Sequence, residues 1–290
     1  MKNLKNLWII ALIALIAFAF TACGESGGGR RGGGSTPQTT PGGHTHSWSE
    51  WAPAQSCTTP VTQTRTCSAS GCPTSPQTQP IPAAHDWNWN AYVSGSGLRG
   101  CQRDSCTATA GIGDTGPAGG KIFYVAPSGF DVQGYSGGPA NLNFILYKAH
   151  YLEAAPANEA DAQWGANGTV IPGVTRFTSI YDDAEASIIG NGRKDTYIIV
   201  NHLGTSETGR AAQLCANKSL NGFTDWFLPS LEELNQLYKN RFAVGMGTNW
   251  LWSSSQHSGG FAWNQDFTFG GVQGGTGKNA DLNVRAVRAF

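Results

Sequence analysis

Apolar residues are spread very unevenly along this 290-residue chain. Leu7 to Phe20 is an unbroken apolar run of 14 residues, preceded by Lys2 and Lys5. A helix that spans a bilayer needs about 20 such residues, so the run is short for a span and has the length of a secretory leader's core. From Gly24 to Gly43 the chain is Gly, Ser, Thr and Pro with almost no apolar positions. Such a segment cannot bury enough surface to order itself, and it reads as a disordered tether.

Residues 111–290 alternate between two periodicities. Lys121-Ile-Phe-Tyr-Val125 is apolar, bounded by Gly-Gly and Pro-Ser-Gly, and predicts a strand. Tyr151-Leu-Glu-Ala-Ala-Pro156 predicts a second extended piece. Lys194 to Leu203 predicts a helix ended by Gly204 as a left-handed cap. A second helix is expected from about Ser206, with Ala211, Ala212 and Cys215 on its buried face. Ser230 and Glu233 form a capping box, and Leu231, Leu234 and Leu237 then line one face of a third helix. Three short strand-like segments follow: Trp250 to Ser254, Ala262 to Phe267 and Val284 to Phe290, separated by Gly-rich stretches read as loops, above all Gly270 to Gly277. Helices followed by a run of strands argue for an α+β fold.

Between the tether and this region, residues 44–110 hold an internal repeat. One copy contains His46, Trp48, Trp51, Cys57, Arg65, Cys67 and Cys72; the other contains His85, Trp87, Trp89, Arg99, Cys101 and Cys106. Both open with His-x-Trp and end in Arg-x-Cys-x4-Cys, but the second has no counterpart of Cys57. Units this short need a covalent or metal staple. Two staples are open. Cys67 with Cys72 and Cys101 with Cys106 would close small disulfide loops, or Cys57, Cys67, Cys72 and His85 would supply three thiolates and one imidazole to a structural zinc ion. The domain scheme is therefore a leader over 1–22, a tether over 23–43, Cys-stapled β/loop repeats over 44–110 and a main domain over 111–290.

Composition narrows the chemistry. Charged residues are 13% of the chain and basic and acidic residues balance at 19 each. Over 111–290 the balance is 12 basic to 15 acidic. Net charge thus offers nothing to nucleic acid or anionic lipid. The histidines of 111–290 show no metal spacing, Asp182-Asp183 reads as a solvated turn, and Cys215 falls on a buried helix face. No catalytic residue is assigned and an enzyme is not expected.

Further resemblances add to this reading. Phe20-Thr21-Ala22-Cys23 resembles a lipobox, which implies cleavage before Cys23 and a diacylated sulfur there. It places the chain in the cell envelope, lipid-anchored, with the membrane as partner and the outer membrane as the expected site. The repeats resemble Trp- and Cys-containing repeats of bacterial surface proteins and, faintly, a thrombospondin type 1 module. Asp225-Trp-Phe-Leu-Pro-Ser-Leu-Glu-Glu-Leu234, Trp252-Ser-Ser-Ser255, Ala262-Trp263 and Val284-Arg-Ala-Val-Arg288 together resemble the C-terminal domain family of the collagen-like adhesin Lcl. That resemblance implies a C-type-lectin-like fold, related in architecture to the formylglycine-generating enzyme group, and adhesion by binding a host or extracellular glycan or protein. Phe227 stands where many relatives have Arg, and no Gly-x-y stalk is present. Sugar sites combine aromatic faces with a few fixed polar groups, for which Trp250, Trp263, Asn264 and Asp266 are the candidates. Core packing is the competing reading for Trp263.

Overall fold

The structure, a computed structural model, describes residues 38–39, 45–52, 54–57, 60–69, 76–81, 83–103, 105–181 and 184–290. The leader, Cys23, most of the tether, Cys72 and Asp182-Asp183 lie outside the described residues. Among the described residues no helix is long and apolar enough to cross a membrane.

The chain folds into two compact units. The first gathers described residues up to 52 and between 62 and 79; the second gathers 54–61 and 80–290. The boundary expected at 110 is therefore not a boundary of packing. The second repeat belongs with the main domain because Trp87, Trp89 and Leu98 pack on Ala110, Ile122 and Tyr151, and the backbone N–H of Arg99 donates to the Tyr151 hydroxyl at 2.8 Å.

In the first unit, Gln38–Thr39 (β1) pairs with Thr45–His46 (β2). Val61–Arg65 (β3) pairs with Gln77–Ile81 (β4). The Arg65 guanidinium lies 4.9 Å from the ring centre of Trp48 and 4.7 Å from that of Trp51. The arginine and two tryptophans that recur in the sequence thus form one cation–π stack.

The second unit contains Trp87–Tyr92 (β5) paired with Arg99–Cys101 (β6). Lys121–Val132 (β7) and Val287–Ala289 (β12) flank Tyr147–Ala154 (β8) in an antiparallel sheet, and Phe290 bonds its backbone to Tyr151 just beyond it. Trp250–Gln256 (β9), Phe261–Asp266 (β10) and Gln273–Gly277 (β11) form a second antiparallel sheet. The helices are Gly192–Leu203 (α1), Ala211–Ala216 (α2) and Leu231–Lys239 (α3), with short 3-10 turns at Ala140–Leu142 and Ala184–Ser187.

This corrects the expected fold class. Extended residues make up 32% and helical ones 14% of the described residues, and the strands form several small antiparallel sheets. The molecule is mostly β, without the α+β C-type-lectin-like arrangement. Among the described residues only three segments form α-helices, and one of them spans 6 residues. The short aromatic and β-branched segments between Gly-rich turns pair instead. Even the stretch read as a loop contributes β11, since ladder bonds use backbone groups that glycine supplies as well as any residue.

Alternation along β9 explains the core. Leu251 enters a cluster with Phe123, Leu152, Phe227, Leu234 and Val287, while Trp252 enters another with Trp164, Trp226, Leu228 and Val284. Successive strand residues face opposite ways, so β9 is buried on both sides. Two of these buried indoles find partners, Trp252 Nε1 donating to the Ala162 carbonyl and Trp164 Nε1 to the Ser253 carbonyl, each at 2.8 Å, whereas Trp226 Nε1 has none. Of the two arginines near the C-terminus, Arg288 forms ion pairs, reaching Glu153 at 3.0 Å and Asp225 at 2.6 Å. Arg285 instead donates to Asn158 Oδ1 at 2.7 Å.

The capping box fixes the start of α3 and more. Ser230 Oγ accepts the Glu233 N–H at 3.3 Å, and Glu233 Oε2 accepts the Ser230 N–H at 2.7 Å. Glu233 Oε1 also accepts the Gly190 N–H at 2.8 Å. A Cβ at Gly192 would lie 2.1 Å from Glu233 Oε2 and 2.7 Å from the Ser230 nitrogen, so only glycine fits there.

Candidate functional site

The four residues expected to hold a sugar do not share one surface. Trp263 is 6% exposed and stacks on Phe177, ring centres 5.2 Å apart, with its indole N–H on the Phe177 carbonyl at 3.0 Å. Asn264 is fully buried, and neither polar atom of its amide finds a partner. Asp266 accepts the N–H groups of Thr268 and Phe269 at 2.7 and 3.3 Å, which commits it to holding a turn. Trp250, opposite Asp266 in the ladder, is 41% exposed. Of the four, Trp250 alone offers a face to solvent.

Three of the staple residues come together in a set that neither expected staple named. Cys57, His85 and Cys106 bring their ligating atoms within 4.8 Å of one another, all inside the second unit. Cys101 accepts the Asp86 N–H at 3.4 Å and, like Cys106, is a free cysteine, so the Cys101–Cys106 loop is not closed. Cys67 belongs to the first unit, where it bridges to Trp48 through the backbone.

Two concavities flank α1. At its start lies a cleft of about 490 Å³ lined by Gln133, Thr175, Asn191 and Lys194 with Gly173, Val174 and Ile188. Behind it Asp195 is fully buried. Desolvation pushes its carboxyl up to about 7, against the opposing pull of Lys194, whose Nζ is 3.7 Å from Oδ1, and of the Thr175 N–H at 3.0 Å. Its Oδ2 has no partner. Asp195 does not line the cleft and makes its contacts inward.

At the other end of α1 is a groove of about 440 Å³. Tyr197, Val200, Asn201 and Gly204 supply one wall; their i, i+3, i+4, i+7 spacing puts them on one helix face. The end of α2 adds Ala216 and Asn217, and Thr224 closes that side. The opposite wall is the turn carrying Pro139, Asn141 and Leu142. That turn is held as a loop by antiparallel pairing of Tyr135 with Phe144 and by Asn143 Oδ1, which accepts the N–H groups of Gly137 and Gly138 at 3.2 and 3.3 Å. Tyr197 is buried beneath, edge-on to Phe144 at 5.6 Å. Asn141, Asn201, Asn217 and Thr224 are exposed, and no charged residue lines the groove.

These groove residues escaped the sequence reading. Each is an ordinary surface amide or hydroxyl, and four separate segments bring them together. The one local signal is the helical spacing of Tyr197, Val200 and Asn201, an exposed amide beside an aromatic on an otherwise apolar face.

The chain matches no protein-family model and no curated protein. Among solved structures, a fimbrial protein from Bacteroides ovatus superposes with a TM-score of 0.40 at 16% identity, over 63% of this chain and 47% of that one. The chain thus spans about half the length of that protein.

Proposed function

We propose that this protein is displayed on the outside of the cell, held by lipid on Cys23, and that its larger unit is a non-catalytic module binding a neutral glycan. The convergence of Asn141, Asn201, Asn217 and Thr224 on one groove, over apolar Leu142, Val200 and Tyr197, carries the binding reading. Amides offer a donor and an acceptor side by side, which matches vicinal sugar hydroxyls. The apolar floor suits the C–H face of a pyranose, and the lack of charge in the lining suits an uncharged ligand. The leader and lipobox-like segment support the location, and the ordered motifs shared with the adhesin C-terminal domain family point the same way.

The test is a glycan array probed with the full chain in detergent, beside the double variant Asn201→Ala/Asn217→Ala. Binding to neutral glycans that weakens at least 10-fold in the variant, with unchanged thermal unfolding, is the expected result. Silence across the array overturns the glycan reading in favour of a structural envelope role. Binding that survives the double variant but is lost in Trp250→Ala overturns the groove and moves the site to the edge of the β9–β10–β11 sheet.

A further inference from the structure

We infer that Cys57, His85 and Cys106 form a zinc site that staples the second repeat and the 54–61 segment together. The inference stands apart from glycan binding and concerns different residues.

Three segments distant in sequence deliver the donors. Cys57 lies in the short 54–61 segment that joins the second unit, His85 lies two residues before β5, and Cys106 follows β6. Their ligating atoms all lie within 4.8 Å of one another. Cys106 Sγ is 3.5 Å from His85 Nδ1. Zinc bonds of about 2.3 Å to sulfur and 2.0–2.1 Å to nitrogen, set at a tetrahedral angle, place those two atoms about 3.6 Å apart. A thiol and an imidazole at this distance also make an ordinary S–H···N hydrogen bond. The third donor, Cys57, turns the pair into a chelating set of two sulfurs and one nitrogen, a combination that selects zinc over hard cations.

The surroundings hold the donors in place without the ion. Arg103 clamps the residue two before Cys57, its Nη2 donating to Gln55 Oε1 at 2.9 Å. The Ala84 N–H donates to the Ser56 carbonyl at 3.2 Å, tying the residues just before Cys57 and His85 to each other. The His85 ring stacks on Trp87 at 4.5 Å, which fixes its plane. The fourth vertex falls to water; Cys101 lies outside the converging set, its Sγ accepting the N–H of Asp86 at 3.4 Å. Binding releases the two thiol protons to solvent, so it strengthens as pH rises. The packing of Trp87, Trp89 and Leu98 on Tyr151 already anchors β5 and β6, which span only 6 and 3 residues, and the ion would tie the 54–61 segment to them as well.

The test uses the full chain purified in detergent, with Zn²⁺ and Co²⁺ as probes. One equivalent of zinc per chain is expected, with a thiolate-to-cobalt charge-transfer band and tetrahedral cobalt absorption on substitution. Cys106→Ser should weaken zinc binding more than about 100-fold, beyond the 10–100-fold that outer-shell groups control, while Cys215→Ser leaves the stoichiometry unchanged. A second readout needs no variant: zinc should protect Cys57 and Cys106 of the wild-type chain from alkylation, and chelation should expose both. Peptide mapping that finds Cys57 joined to Cys106 as a disulfide, or equal alkylation with and without zinc, overturns the site.

Discussion

Replacing Asp195 with Asn isolates the cost of burying one carboxylate. The side chain is fully enclosed, its Oδ1 accepts the Thr175 N–H at 3.0 Å, and its Oδ2 has no partner. Desolvation, reinforced by Glu233, raises its pKa from 3.8 to about 7. The unfolded chain gives up this proton in the ordinary carboxylate range, whereas the folded chain keeps it to about 7. Between those values the folded state binds more protons, so stability falls as pH rises. At about 1.4 kcal/mol per unit, holding the ionised form in the fold above pH 7 costs about 4 kcal/mol. Asn keeps the acceptor for Thr175 and carries no charge. Wild type and Asp195→Asn should therefore be nearly equal at about pH 4.5, with the variant gaining about 3 kcal/mol over wild type by about pH 8. Glu153 and Glu233, also raised by burial, slope the same way in both proteins and largely cancel in the comparison. Urea unfolding of the two proteins across this range is the assay. A difference that does not grow with pH, or a variant weaker than wild type at about pH 8, would refute the assignment of the shift to buried charge.

Other perturbations test separate parts of the structure. Arg288→Met leaves Glu153 buried without its partner and should cost about 3–5 kcal/mol in urea unfolding, much of it recovered by adding Glu153→Gln. Trp263→Ala should cost about 3–5 kcal/mol as a core deletion, whereas Trp250→Ala should shift stability by no more than about 0.5 kcal/mol; thermal melts of the two compare them directly. Burial lowers the Lys278 pKa to about 8, so the unfolded chain holds the extra proton between about 8 and its ordinary value. Stability should rise with pH over that window, and Lys278→Met should abolish the rise. Cys23→Ser should move the protein from the membrane to the soluble fraction and stop labelling by palmitate; unchanged partition would remove the lipid anchor from the proposal.

Local signals survived into the structure where a short segment supplies its own partners. The Ser230–Glu233 box starts α3 where expected, because both halves of the cap lie within one turn. Gly204 ends α1 where expected, but with φ of +52° and ψ of −127° it is not the left-handed cap the sequence suggested. The fold class did not survive, since helix and strand segments read in order do not reveal how many strands pair, and β11 pairs through glycines that carry no strand propensity. The ligand residues show a similar divide. Trp250 and Trp263 look alike in sequence, but one is open to solvent and the other stacks on Phe177.

By itself the sequence determined the apolar run from Leu7 to Phe20, the repeat with its arginine–tryptophan and cysteine pattern, and the capped start of α3. Each of these is a relation among residues close in the chain. Only the tertiary structure decided that the second repeat packs with 111–290, that Cys57 and His85 meet Cys106, and that three asparagines and a threonine converge beside Tyr197. Those are meetings of distant segments, set by how buried faces fit together, and spacing along the chain carries no record of them.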